Sequence, residues 1–133
     1  MTNYVPNTPN IAIIAYDGVQ QSAVHGLGEM FDVANRHVDK AAVGKITHRV
    51  LTPFAIDEAQ DIDAIILPPN LTGVRGDGDQ TLPNWIRNQH LSGTIICSAC
   101  AGGYWLGYAG ILNGRPATTH WALEADFKSR IHI

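Results

Sequence analysis

Within the stretch TIICSACAGGYWLGYA, Thr94 to Ala109, the hydrophobic pattern changes period over a few residues, and that change restricts the folds open to the chain. Thr94, Ile95 and Ile96 form a β-branched apolar run that reads as a strand, whereas Trp105, Leu106 and Tyr108 recur as they would on a helix. The break falls between Ser98 and Cys100. A strand turning sharply into a helix presents its apex side chain to solvent, with the amides of the helix start aimed at the same point, and it requires small flanking residues. Ala99, Ala101, Gly102 and Gly103 meet that requirement. Cys100 therefore holds the nucleophile position of an elbow, where the helix start favours thiolate. Two other readings share these residues. A cysteine near a strand end is commonly a small buried hydrophobe, and Cys97 with Cys100 spells C-x-x-C, as in a redox dithiol. Strand alternation sends positions 97 and 100 to opposite faces, which argues against the dithiol and leaves Cys97 as core packing.

The remaining chain alternates in the same way. After an opening segment with Pro6 and Pro9, Ile11 to Tyr16 reads as a strand buried on both faces and ended by Asp17 and Gly18. Val24, Leu27, Phe31, Ala34 and Val38 then recur at helical spacing. Arg49 to Thr52 makes a short second strand, and Ala64 to Leu67 a third, stopped by Pro68 and Pro69. A helix is expected near Leu82 to Gln89, a short strand at Ala117 to Thr119, and a helix from Trp121 to Ser129. This alternation predicts an α/β domain with a mainly parallel sheet, whose site lies at the carboxyl ends of the strands. His120, just after the last short strand, is thereby expected near Cys100, although a histidine is more often a surface or packing residue.

Composition narrows the function classes. The chain has 133 residues, enough for one domain spanning residues 1–133, with 45% hydrophobic and 16% charged residues. A net charge of -3 without a basic stripe gives no reason to expect direct nucleic-acid contact or a membrane surface. With no signal-like start and no long apolar run, a cytoplasmic location is expected. The six histidines show no metal-ligand spacing, so neither metal nor cofactor is expected. Gly76 to Asp79 reads as a solvated turn, because it lacks the rest of an EF-hand pattern and the lysine of a P-loop.

The stretch CAGGYWLGYAGILNGRPATTHW, Cys100 to Trp121, resembles the DJ-1/PfpI superfamily, in particular the class I glutamine amidotransferase-like domains at the front of AraC-type transcriptional regulators and the isocyanide hydratases. YDGVQ (Tyr16 to Gln20), GEMFDVANR (Gly28 to Arg36) and DAIILPPN (Asp63 to Asn70) carry the resemblance in the same order along the chain. It implies a flavodoxin-like three-layer sandwich, incomplete at its C-terminal end, and a tendency to form homodimers. It also implies catalytic roles for Cys100 and His120 and a ligand or oxyanion pocket built from Asn70, Ala101, Gly102 and Thr119.

The departures from the family pattern are equally specific. The acid that family enzymes place beside the cysteine aligns with Ala23, which can neither give nor take a proton. PfpI-type proteases have a histidine directly after the nucleophile, where this chain has Ala101, and Pro69 replaces the first glycine of the family's P-G-G turn. The reading that follows is a small-molecule-sensing domain of an AraC-type regulator with little or no catalysis. The alternatives are a cysteine-dependent hydratase or hydrolase acting on a compact electrophile and a cysteine redox sensor.

Overall fold

The computed structural model describes residues 8–38, 44–56 and 59–133, so Pro6 lies outside the described residues. Strands β1 (Asn10–Ile14), β2 (Thr47–Leu51), β3 (Ala64–Leu67) and β4 (Ile95–Ser98) form one four-stranded sheet in the order β2-β1-β3-β4. Every pairing is parallel. Helices α1 (Gln21–His37), α2 (Thr81–Leu91), α3 (Gly103–Tyr108) and α4 (Glu124–Arg130) connect and follow the strands. The sheet is an α/β arrangement of the expected kind, and its two central strands explain why β1 and β3 are so apolar. Ala12, Ile13, Ile14, Ile65 and Leu67 are all fully enclosed.

Strand order reverses between β1 and β3, since β1 leads out to β2 on one side while β3 leads to β4 on the other. Right-handed crossovers then put α1 and α2 on opposite faces. α1 packs on β1 and β2, and α2 and α3 pack on β4. The reversal leaves a crevice at the carboxyl ends of β1 and β3, into which the Tyr16 to Gly18 turn and the Pro68 to Asn70 loop project.

The elements depart from the expected ones in three informative places. β1 stops at Ile14, so Tyr16 is a buried turn residue rather than the last residue of the strand. Ala117 to Thr119 forms no strand, because Pro116 precedes it and the Thr119 hydroxyl is bound to the Cys100 carbonyl (3.2 Å), which ties the segment to the elbow instead of to a sheet edge. The expected helix from Trp121 to Ser129 begins as a 3-10 turn, Trp121–Leu123, before continuing as α4.

Cys97 is also not core packing. It is exposed, on the same side of β4 as Ile95, which is 63% accessible. β4 is an edge strand, and among the described residues no element covers the face carrying Ile95 and Cys97.

The turn after β4 docks tightly on the end of β3. The Ala99 amide donates to the Leu67 carbonyl (3.0 Å), and a Cβ placed on Gly102 would lie 2.1 Å from that same oxygen and 2.7 Å from the Pro68 carbonyl. These are backbone atoms at the end of a central strand and of the proline that follows it, which cannot yield as a flexible side chain would. Gly102→Ala is therefore expected to cost about 2 kcal/mol or more, the usual range for overpacking a rigid core. Thermal denaturation would show it as a lowered midpoint, and an unchanged midpoint would mean that the elbow can move off β3.

Candidate active site at the elbow

Cys100 adopts φ 53°, in the left-handed region that non-glycine residues avoid at a cost of about 1–2 kcal/mol. Only a local structure held by its surroundings keeps such a residue there, and such strain concentrates at functional apices. The surroundings are visible. Ala99 is bonded to β3, the Gly102 amide donates to the Ala99 carbonyl (2.9 Å), and the Thr119 hydroxyl holds the Cys100 carbonyl. The single 3-10 turn Cys100–Gly102 then leads into α3.

The loop after β3 is fastened to the start of α1 by the Gln20 amide, which donates to the Pro69 carbonyl (2.8 Å), and by a bridge between Val19 and Asn70. This ties the start of α1, in whose first turn half-buried Ala23 lies, to the Pro68 to Asn70 loop on which the elbow also rests. Asn70 is buried, with its side-chain oxygen accepting from the Gly73 amide (2.7 Å). Among the described residues the main-chain amides of Asn70 and Ala101 donate to no backbone carbonyl in the loops, and both residues are buried.

The remaining predicted residues divide. Thr119 reaches the elbow, but its hydroxyl braces the Cys100 carbonyl. Gly102 is buried and is there for close backbone packing. His120 is exposed, its Nδ1 accepts from the Ala122 amide (3.1 Å), and its ring stacks on Trp121. Among the described residues no hydrogen bond joins His120 to Cys100. Its main local role is to cap the 3-10 turn that precedes α4.

Two site residues were not singled out from sequence. The Tyr16 hydroxyl donates to the Pro68 carbonyl and receives a long bond from Asn70 Nδ2 (3.5 Å), which pins the Pro-Pro-Asn loop to the end of β1. Trp105 packs edge-to-face on Tyr16 at 5.3 Å, its indole N–H buried beside the phenol outside hydrogen-bonding geometry. A polar-tipped aromatic directly ahead of an Asp-Gly turn was the available signal for Tyr16. Its partners, 52 and 89 residues away in sequence, left no local trace.

Fold and site together define a parallel α/β domain with a cysteine at a strained strand-to-helix apex. The chain belongs to the DJ-1/PfpI family, whose sequence profile matches residues 10–132. It is 33% identical over 120 residues to the isonitrile hydratase of Pseudomonas putida, a match covering 84% of this chain and 52% of the hydratase. The chain thus spans about half the length of that relative. Two solved structures share the fold. DJ-1beta of Drosophila melanogaster superposes with a TM-score of 0.71 at 14% identity, over 93% of this chain and 72% of that one. A candidate transcriptional regulator protein of Vibrio parahaemolyticus gives 0.74 at 18% identity, over 95% and 75%. Among the described residues no helix is long and apolar enough to cross a membrane, and no cluster of three metal-ligating side chains occurs.

The two cysteines should differ in reactivity. Partial burial pushes the Cys97 thiol above its ordinary pKa, so little thiolate is present there at neutral pH despite the exposed position. Iodoacetamide near pH 7 is expected to label Cys100 first, with Cys97 following as the pH is raised. Faster loss of Cys97 by peptide mass mapping would remove the case for an activated elbow.

Tyr16 makes a second, pH-dependent expectation. Burial pushes its phenol up to about 12, against weaker lowering by Asn70 and Trp105, and nearby Cys100 adds to the rise. A group whose pKa is higher in the folded state stabilises the fold fully below its unfolded pKa, near 10, and that contribution is lost as pH rises through about 12. Tyr16→Phe should lose about 1 kcal/mol at neutral pH. It should also lose less stability than the wild type between about pH 10 and 12. Parallel stability curves for the two proteins would contradict this.

Proposed function

We propose that this chain is a ligand-responsive DJ-1/PfpI domain of the regulatory kind, joined or bound to an AraC-type DNA-binding element, with little turnover of its own. The observation that supports this reading is a mismatch within the site. The elbow and its strained cysteine are present, whereas the position on the first turn of α1 that aligns with the family's acid is Ala23. An elbow of this kind would engage a small carbonyl, carboxylate or electrophile while lacking the carboxyl group that would move a proton.

Similarity to an isonitrile hydratase supports a second reading, hydration of an isocyanide. In that reaction the Cys100 sulfur would form a bond to the terminal carbon, which takes up a proton. Water would then add to the resulting thioimidate, and the C–S bond would break to release a formamide. Both proton movements need a group near the sulfur, and His120 is engaged in capping.

Assay of the purified chain with an alkyl isocyanide separates the two readings. Formamide production is expected to be negligible for the wild type and to rise about 100-fold or more in Ala23→Asp, the scale of general acid–base catalysis. The added Cys100→Ser substitution should abolish the gain. Wild-type turnover at about 1 s⁻¹ or faster, typical of enzymes, would overturn the regulatory reading.

A further inference from the structure

A substantial hollow among the described residues lies away from the elbow side chains. A cleft of about 840 Å³ opens at the carboxyl ends of β1 and β2, within the size range of small-molecule sites. None of Cys100, Ala101, Gly102, Thr119, His120 or Asn70 lines it. Tyr16 and Trp105 do, and because the Tyr16 hydroxyl end is bound to the Pro68 carbonyl, this aromatic pair stands between the cleft and the loop beneath the elbow.

The lining has a definite chemical character. Apolar surface comes from Val74, Leu82 and the Trp105 ring, with Phe54 fully exposed at the margin. The charged lining residues are two carboxylates, Asp17 and Asp79, and one guanidinium, that of Arg75. Asp79 is fixed in place, because its Oδ1 accepts from both the amide (2.9 Å) and the hydroxyl (2.6 Å) of Thr81, and these bonds hold it below the usual carboxylate range. It stays ionised at neutral pH. Arg75 also lines a second, more open hollow, together with Asp77, Tyr108 and Arg130. Two carboxylates against one guanidinium, beside exposed Phe54 and the half-buried Trp105 ring, suit a cation with an apolar body, through charge pairing and cation–π attraction.

We propose that this cleft is a second ligand site, separate from the elbow, that takes a small organic amine: an ammonium held by Asp17 and Asp79 on an aryl or branched alkyl body resting on Phe54 and Trp105. The site is independent of whether Cys100 turns over. Its aromatic wall also provides a route by which occupancy can reach the elbow, since Tyr16 belongs to both.

The test is isothermal titration of the whole chain with 2-phenylethylamine, with 3-phenylpropionate as the charge-reversed control. Saturable binding of the amine and weaker or no binding of the acid are expected. Asp17→Asn should weaken the amine about fivefold, the upper range for an exposed ion pair, and Phe54→Ala should also weaken it. Both residues are exposed, so neither substitution should disturb folding. Cys100→Ser should leave the affinity unchanged. No saturation at millimolar amine, equal affinity for the acid, or binding that is lost in Cys100→Ser but intact in Asp17→Asn would each overturn the proposal.

Discussion

The contact on which the carboxyl edge of this domain depends is between main chains, where Gly102 rests directly on the Leu67 and Pro68 carbonyls at the end of β3. No side chain fits between them. Because β3 is central and Ile65 and Leu67 are enclosed, its end is a fixed platform, and the turn that docks on it cannot relax toward an ordinary helix start. The positive φ of Cys100 follows from that docking. The strain at the apex is thus supported by the sheet, while Thr119 braces the same turn from the opposite side.

The same platform gathers segments that are far apart in sequence. The Pro68 to Asn70 loop is bonded to the Tyr16 hydroxyl, to the Gln20 amide and to Val19, and the elbow to Leu67 just before it, so the end of β1, the start of α1 and the elbow are tied to one place. Position 23 matters because it lies on the helical turn held there. A methyl group at this position can neither give nor take a proton. Family membership supplies the scaffold, whereas the chemistry depends on which side chains are mounted on it.

Much of this was legible from local sequence. The IAII and AIIL runs read as central strands because both faces of such strands are buried, and the small residues around Cys100 mark a turn at which backbones must approach closely. Less legible were features set by what lies beside an element. Cys97 has the sequence context of a core residue, yet β4 is an edge strand and its outward face is uncovered among the described residues. Ala117 to Thr119 has a strand-like composition, but its available partner is the elbow carbonyl. His120 is adjacent to Thr119 in sequence and still directs Nδ1 to its own cap, because a free amide two residues ahead is the nearer donor.

The sequence by itself determined the parallel α/β class, the location of the elbow and the absence of a carboxylate at position 23, since periodicity, small residues and side-chain identity are local properties. Tertiary structure decided which faces are covered, that Tyr16 and Trp105 meet across 89 positions, and that a charged, aromatic cleft opens beside the elbow. Those outcomes depend on strand order and on where a crossover returns the chain, and neither is recorded in the pattern of any single segment.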